Sequence, residues 1–423
     1  MQTFLYYLAI SAYHLAIRLA AVLGVKQAKL WVGGRQDPAS ANLPLHLRPR
    51  QRKHPLLWMH CASLGEWEQG QPVLEALRQQ LPEHKILLTF FSPSGYVRCK
   101  DSDAADFVGY LPADGPGRAS KWVDDIQPDL AIFVKYEFWF FHLRALHRAN
   151  IPTFLVAASF RIDQPFFRPW GGWWRKMLRF FSAIAVQTPN DQKLLSKRGN
   201  YPKNSIVVAG DPRMDRTRQL AQSSFSDPIL ESFTKASGVT IIAGSVWPPD
   251  VDLWKAVWKK LPDNCRLLLA PHQLHEEEIA EWSAAFNALR YTHTNAAAAL
   301  NSKVLILDTI GVLSRAYRYG DLAYIGGAFK TGLHNTLEPM AYGLPAMFGP
   351  KHHKFPEAGA AMQLGGAFTV QTPEELLRVL ELLLNTESRK SASGAQMQLS
   401  DQLAGAGART SSTIMKLISL GSR

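Results

Sequence analysis

The chain has 423 residues, 47% of them apolar and 19% charged, and this composition excludes a largely disordered protein. Its length exceeds one ordinary hydrophobic core, so we expect two domains. The formal charge of +12 predicts an anionic partner, either nucleic acid, anionic lipid or a phosphorylated substrate. Three widely separated cysteines, Cys61, Cys99 and Cys265, exclude a disulfide framework or a zinc spacing and favour a reduced, cytosolic setting.

The N-terminal stretch 4–25, FLYYLAISAYHLAIRLAAVLGV, is apolar and about long enough to cross a bilayer. Three polar residues interrupt it on one helical face: Ser11, His14 and Arg18. Because an arginine in mid-membrane is costly, the pattern favours a helix in the membrane interface. The basic residues expected to meet lipid phosphates are Lys26, Lys29 and Arg35. A helix packed on the protein and an export signal are the alternatives.

From residue 56 onward, apolar runs alternate with helical patterns. The predicted strands of the first half are 56–63, 85–91, 129–135, 153–159 and 182–188. After 205–217 the pattern restarts, with strands predicted at 239–245, 265–271, 304–308, 321–327 and 345–350. Helices are predicted at 66–80, 138–149, 373–385 and 396–420. Apolar strands separated by helices indicate two doubly wound α/β domains with parallel sheets, whose loops share a cleft.

The segment GGAFKTGLHNTLEPMAYGLPAMFGP, 326–350, is the strongest local signal. An apolar strand leads into paired glycines, and a polar loop and a short helix follow. The loop contains Lys330, Thr331, His334 and Asn335. Glycines and a helix N-terminus together favour phosphate binding, and Glu338 is placed to bind ribose hydroxyls. The alternative is a glycine-rich connection with a helix-capping glutamate.

Other predicted strand ends carry polar or glycine residues. They are Ser245, His272, His275 and Gly311, and each alone is as well explained by helix capping. Together they describe neighbouring loops at one sheet edge. The sequence has no H-E-x-x-H, Walker or G-x-G-x-x-G motif, so metal catalysis has little support. Glu66, after the strand 56–63, would by itself be an ordinary helix-start acid.

Several stretches, in this order and spacing, resemble the 3-deoxy-D-manno-octulosonic acid (Kdo) transferases of glycosyltransferase family 30. They are HCASLGEWEQGQPVLEAL, TFFSPSG, LVAASFR, DTIGVLSRAYRYGDLAYIGGAF and HNTLEPMAYGLPAMFGP. The resemblance implies a GT-B fold and an inverting transfer that needs no metal or cofactor. It also implies a CMP-Kdo donor, a lipid A precursor as acceptor, and a location on the cytoplasmic face of the inner membrane.

The domains expected from this resemblance are a membrane-anchoring helix, an acceptor-binding domain and a CMP-Kdo-binding domain. Their ranges are 1–30, 31–214 and 215–423, with the last helix able to cross back to the acceptor domain. Two rival functions stay open. One is another GT-B enzyme that uses a UDP-sugar, as transferase or epimerase, and the other is a non-catalytic, membrane-associated lipid-binding scaffold.

The resemblance also assigns roles to single residues. Glu66 in SLGE matches the catalytic base, and Glu137 in KYEFW a supporting acid. Asn335 and Glu338 match donor-site residues, and Ile310 and Gly311 fall where backbone contacts to cytidine are expected. The predicted donor site also includes Ser245, Pro271, Lys330, Thr331 and His334. His272 stands where an arginine is expected to meet the CMP phosphate, and Val312 replaces a common acid. Lys330 or Lys351 is the expected substitute at the phosphate.

The acceptor side is assigned to Ser94, Gly95, Lys135 and Arg161. The segment FFRPWGGWWRKMLRFF, 166–181, adds Arg168, Arg175, Lys176 and Arg179 among seven aromatic residues, without an acid. Arginine binds phosphate bidentately and Trp favours the membrane interface, so contact with lipid headgroup and acyl chains is predicted. An ordinary helix with a basic face is the alternative, and nucleic-acid stacking is disfavoured.

Overall fold

The computed structural model describes residues 1–37, 44, 47–235, 238–330 and 332–421. The chain forms two compact units, one of Met1–Arg216 with Gly405–Arg423 and the other of Thr217–Ala404. The first unit therefore contains both the N-terminal helix and the last helix.

The first unit is built on a seven-stranded sheet. Its strands are β1 Leu56–Cys61, β2 Lys85–Phe90, β3 Phe107–Tyr110, β4 Leu130–Val134, β5 Thr153–Ala158, β6 Ala183–Val186 and β7 Ile206–Val208. Its helices are α1 Gln2–Val22, α2 Lys26–Gln36, α3 Leu64–Gln80, α4 Pro93–Cys99, α5 Pro116–Ile126, α6 Phe140–Arg148, α7 Gly172–Leu178 and α8 Pro189–Lys197, followed by α9 Arg213–Gln222 at the unit boundary. The order β3-β2-β1-β4-β5-β6-β7 is parallel throughout, as predicted.

Strand β1 illustrates why such segments form the sheet. All six of its residues are buried. Trp58 packs against Phe133 of β4 in one core cluster, whereas Leu57 and Met59 belong to another. Because successive side chains point to opposite faces, a strand that is apolar throughout requires helices on both sides of the sheet.

Helix α1 packs on the first unit with one face and exposes the other. The ring of Tyr6 lies 5.4 Å from that of Trp173, and its hydroxyl donates to Asp114 at 2.7 Å. Exposed apolar residues on α1 include Phe4, Leu5, Leu8, Leu15, Leu19 and Val22. Among the described helices, α1 alone is long and apolar enough to cross a membrane. It thus combines a docked face with the apolar surface expected of an interfacial helix.

The second unit repeats this architecture. Its strands are β8 Val239–Val246, β9 Cys265–Pro271, β10 Leu289–Arg290, β11 Val304–Ile306, β12 Leu322–Ile325, β13 Ala346–Phe348 and β14 Ala367–Thr369. Its helices are α10 Pro228–Lys235, α11 Pro248–Val257, α12 Glu276–Phe286, α13 Ala296–Asn301, α14 Leu313–Ala316, α15 Leu337–Ala341, α16 Pro356–Gln363, α17 Pro373–Leu384 and α18 Thr386–Leu403. The order β10-β11-β9-β8-β12-β13-β14 is again parallel.

The winding of each sheet reverses at one place. In the first unit this switch point lies between β1 and β4, and in the second between β8 and β12. Ligands of open α/β sheets bind beyond the carboxyl ends of the strands at such a point. The loops after these four strands are therefore the places to look for a site.

The predicted helix 396–420 is two helices. Helix α18 ends at Leu403, and α19, Ala406–Gly421, follows after Gly405, whose φ of 84° is favourable for glycine. The carboxylate of Asp215 accepts hydrogen bonds from the backbone N–H groups of Gly405 at 2.5 Å and Gly407 at 2.7 Å. This contact fixes the start of α19 within the first unit.

Candidate active site

Glu66 lies in the first turn of α3, directly after β1. Its carboxylate is half-buried and accepts a hydrogen bond from the hydroxyl of Ser63, the N-cap residue. This is the one hydrogen bond that the described part of the chain gives to the side chain. The helix N-terminus favours negative charge, and the carboxylate keeps acceptor capacity for a ligand.

Glu137 follows β4 and is held much more firmly. Its Oε2 atom accepts a hydrogen bond from Trp139 Nε1 at 2.5 Å and lies 3.1 Å from His60 Nε2. His60 Nδ1 lies 3.0 Å from the hydroxyl of Thr89. The backbone carbonyl of Thr89 lies 3.1 Å from the same Nδ1 atom, so His60 is held between Thr89 and Glu137. The carboxylate is therefore fixed in orientation.

Lys135 precedes Glu137 in the same loop. Its φ is 69°, a strained value for a residue with a side chain and a feature common at functional sites. Burial lowers the pKa of Lys135 and Arg213 lowers it further, while the negative charges of Asp211 and Glu66 oppose the shift. The lysine and Glu66 thus lie within electrostatic range of one another.

The other predicted acceptor residues of this sheet follow β2 and β5. Ser94 is exposed in the first turn of α4, and Gly95 is buried where any Cβ atom would overlap the ring of Phe90. Arg161 is exposed and pairs with Asp163 at 3.5 Å. Since β2, β1, β4 and β5 are neighbours, their loops meet at one sheet edge with Glu66.

The segment 166–181 does not expose all of its aromatic residues, as a membrane-binding surface would. Four of its aromatic side chains are buried in the core: Phe166, Phe167, Trp173 and Phe181. The guanidinium of Arg175 donates to the backbone carbonyls of Phe166 and Arg168, both at 3.0 Å, and so holds the segment together. Arg168, Lys176, Arg179 and Trp170 remain exposed. The predicted lipid contact is therefore reduced to this smaller surface.

In the second unit, Asp250 connects the two loops at the switch point. It is fully buried and accepts hydrogen bonds from the backbone of Trp247 at 2.9 Å and Gly327 at 3.0 Å, and from the Tyr324 hydroxyl at 2.8 Å. Burial raises the pKa of Asp250, and the three bonds oppose this shift. Ser245, just before this loop, has a φ of 55°. The loops after β8 and β12 are thus locked together.

Three rings stack at the same edge. Trp247 Nε1 donates to His334 Nε2 at 2.9 Å, and the His272 ring lies 4.1 Å from that of His334 and 4.6 Å from that of Trp247. The ammonium of Lys330 lies 4.6 Å from the Trp247 ring. Burial lowers the pKa of His334 to about 4, and the charge of His272 adds to this effect. A neutral His334 is the form that accepts the Trp247 bond.

The remaining donor residues lie in neighbouring loops. Asn335 donates from Nδ2 to Glu338 at 3.1 Å, and its Oδ1 accepts the backbone N–H of Leu337 at 3.1 Å. Ile310, after β11, is 87% exposed, and Gly311 has a φ of 90°. Pro271 ends β9. Thr331 lies outside the described residues. Among the described residues, no group of three His, Cys, Asp or Glu side chains is arranged to hold a metal ion.

Comparison with known proteins shows which enzymes this chain is similar to. The family described as 3-deoxy-D-manno-octulosonic-acid transferase matches residues 41–216, which include Glu66 and Glu137. The enzyme of that name from Aquifex aeolicus is 28% identical over 339 residues, covering 78% of this chain and 86% of the relative. The chain is therefore similar to Kdo transferases over about four fifths of its length. The Haemophilus influenzae Kdo transferase is also 28% identical, over 80% of this chain and 81% of its own length.

Solved structures resemble the fold of this chain. A UDP-N-acetylglucosamine 2-epimerase matches with a TM-score of 0.60 at 14% identity, covering 88% of this chain and 98% of that one. A glycosyltransferase from Rickettsia africae matches with a TM-score of 0.58 at 13% identity, covering 87% and 99%. At such identities the likeness concerns the fold alone. The predicted GT-B class is confirmed.

Four residues at these sites were not predicted: His60, Trp139, Trp247 and Asp250. Each acts through a contact that is distant in sequence or through a side chain that is also common in cores. His60 lies next to the end of an apolar strand, and nothing local indicates that its partner is Glu137, 77 positions away. Trp247 and Asp250 form an ordinary helix start, and only the sheet order places β12 beside them.

Proposed function

We propose that this protein transfers Kdo from CMP-Kdo to a phosphorylated lipid A precursor, with Glu66 as the base. The observation that carries the proposal is the placement of Glu66 in the first turn of α3, directly after β1 and beside the switch point. Among the described residues, its carboxylate is bound only to Ser63. The relatives that bear the name Kdo transferase support the choice of sugar.

The proposed step needs one proton acceptor. Glu66 takes the proton of the acceptor hydroxyl, and the acceptor oxygen forms a bond to the anomeric carbon of Kdo. The bond from that carbon to the phosphate oxygen of CMP breaks, and its electron pair stays on CMP, a weak base that needs no acid. Attack opposite the leaving group inverts the anomeric configuration. Base assistance of this kind is worth about 10² to 10⁴ in rate.

Glu137 has a different role in this scheme. Its bonds to Trp139 and His60 fix the loop after β4, which also carries Lys135. We therefore regard Glu137 as a positioning residue that sets the Lys135 loop beside Glu66.

The second unit would bind CMP-Kdo. Asn335 and Glu338, held together by their 3.1 Å bond, suit the ribose hydroxyls. Ile310 and Gly311 suit the cytosine ring, because an exposed apolar side chain and a glycine backbone allow close approach. Lys330 supplies positive charge for the phosphate beside His272. Ser245, Pro271 and His334 shape the loops around these groups.

The acceptor would bind the first unit, with its phosphate near basic residues and its acyl chains in the bilayer. The acceptor candidates with exposed or partly exposed polar groups are Ser94, Lys135, Arg161, Arg168 and Lys176. The exposed apolar face of α1 suits the cytoplasmic surface of the inner membrane. The reaction as written involves neither a metal nor a cofactor.

Mass spectrometry of the reaction product tests the proposal. Purified protein incubated with CMP-Kdo and a tetra-acylated lipid A precursor should add one or more Kdo units, with and without a metal chelator. Turnover of a UDP-sugar in place of CMP-Kdo would favour the alternative enzyme. Acceptor binding without turnover of either nucleotide sugar would favour the scaffold.

A further inference from the structure

A positively charged cavity of about 490 Å³ lies between α1 and α2 in the first unit. Three helices, α1, α2 and α5, each contribute one arginine to its wall: Arg18, Arg35 and Arg118. Within the described part of the chain, no aspartate or glutamate lines it. A cavity with this wall attracts anions.

Four buried nitrogen atoms of the wall have no hydrogen-bond partner in the described structure. They are Nδ1 and Nε2 of His14, Nε1 of Trp31 and Nε of Arg35. His14 and Trp31 are each only 6% exposed. Buried polar groups are nearly always paired, so several unpaired nitrogens around one cavity indicate a ligand with acceptor oxygens. Burial lowers the pKa of His14 to about 4, so one of its two nitrogens carries a proton and can donate. The oxygens of a phosphate suit this donor together with Trp31 Nε1 and Arg35 Nε.

Among the described residues, no aspartate or glutamate compensates the charge of Arg35. Its guanidinium lies 3.8 Å from the Trp31 ring centroid and donates to the backbone carbonyls of Phe91 at 2.8 Å and Trp31 at 3.3 Å. Burial lowers the pKa of Arg35 to about 9, and only tyrosine side chains act in the opposite direction. Asp114, a nearby acid, already accepts four hydrogen bonds. An external anion would supply the missing negative charge.

The surroundings of the cavity indicate where that anion comes from. Tyr7 and Leu15 line the cavity and also belong to the exposed apolar surface of α1, with 36% and 57% exposure. A phosphate that enters here would therefore have apolar groups beside it. This is the chemistry of a phospholipid at the boundary between headgroup and acyl chains.

We propose that this cavity binds the phosphate of an anionic phospholipid headgroup from the bilayer on which α1 lies. The inference rests on the proposed membrane location and not on sugar transfer. The bound headgroup would fix the depth and the orientation of the first unit on the membrane.

Vesicle binding of the full chain tests this site. The probes are phosphatidylcholine vesicles and the same vesicles containing phosphatidylglycerol. The double variant Arg18→Gln/Arg118→Gln removes two exposed charges from the rim. His14→Leu removes the unpaired nitrogens while leaving the formal charge unchanged. The control Lys193→Gln/Lys197→Gln removes two charges from α8, away from the cavity lining.

Wild type and control should prefer the anionic vesicles, whereas both cavity variants should bind them roughly tenfold more weakly and keep wild-type binding to phosphatidylcholine. Equal weakening in control and cavity variants, or wild-type binding by both cavity variants, would refute the site. If inorganic phosphate raises the Tm of wild type as much as anionic vesicles do, the ligand is a free anion and the lipid assignment is wrong. Failure to bind any vesicle would instead contradict the proposed membrane location.

Discussion

The indole Nε1 of Trp139 donates a hydrogen bond to the Glu137 carboxylate at 2.5 Å, while the Trp139 ring stacks on Phe91 at 4.8 Å. Trp139→Phe keeps an aromatic ring at this position and removes the donor. We expect kcat to fall roughly tenfold, since a hydrogen bond to a charged group contributes about 1.5–3 kcal/mol. CMP binding should be unchanged. Trp174→Phe is the matched control, and equal kcat values for the two variants would show that the orientation of Glu137 is unimportant.

The buried carboxylate of Asp250 allows a test of whether the loops after β8 and β12 are needed for donor binding. Asp250→Asn places an amide NH₂ among the donors of Trp247, Gly327 and Tyr324. Because a buried unsatisfied group costs about 1–3 kcal/mol, we expect a lower Tm and weaker thermal protection by CMP. Asp252→Asn, at an exposed position of the same helix, should change neither quantity. If CMP raises the Tm of Asp250→Asn as much as it raises that of wild type, the loops that Asp250 connects are not needed for donor binding.

The lowered pKa of His334 predicts how the stability of the protein changes with pH. Its pKa is lowered from 6.5 to about 4 by burial, so between these values the unfolded chain binds more protons than the folded chain. This contribution to stability is therefore lost as the pH falls from about 6.5 towards 4. His334→Gln should show a smaller drop in Tm between about pH 7 and pH 5 than wild type. The control is His275→Gln, at an exposed position. If the Tm of His334→Gln falls between these pH values as much as that of wild type, His334 does not cause the pH dependence.

Substitutions on the exposed face of α1 should weaken membrane binding without lowering the stability of the fold. Leu8 and Leu15 are 47% and 57% exposed, so Leu8→Asp/Leu15→Asp removes little packing. We expect the variant to keep its Tm and to lose cosedimentation with phosphatidylcholine vesicles. The control, Leu274→Asp/Leu382→Asp, alters residues of the second unit that are 42% and 47% exposed. Retained cosedimentation of the α1 variant would mean that another surface binds the bilayer.

The apolar pattern predicts the central strands well because they are covered on both faces. Strand β1 is fully buried, and its predicted end differs by about two residues from the observed one. The edge strands β3, β10 and β14 are short, between two and four residues, and carry too little pattern to be recognised. Sheet edges have only one neighbour, so their residues need less apolar character.

The same contrast applies to the site. Glu66 could be predicted as the base because its motif SLGE lies within one strand-to-helix turn and resembles the family's motif. Asp250 and His60 were not predicted because their partners follow other strands. The order of strands in a sheet cannot be predicted from one segment of the sequence. The aromatic residues of the segment 166–181 suit a membrane surface as well as a core, and only contacts with the rest of the first unit show which of them are buried.

The central claim is that the carboxylate of Glu66 removes the acceptor proton. The most direct test is kcat of Glu66→Gln, measured with CMP-Kdo and the tetra-acylated precursor beside Glu68→Gln, an exposed acid two residues further along α3. Glu66→Gln should lose about 10² to 10⁴ in kcat while CMP still raises its Tm as in wild type, and Glu68→Gln should stay close to wild type. A kcat of Glu66→Gln within a few-fold of wild type would contradict the account.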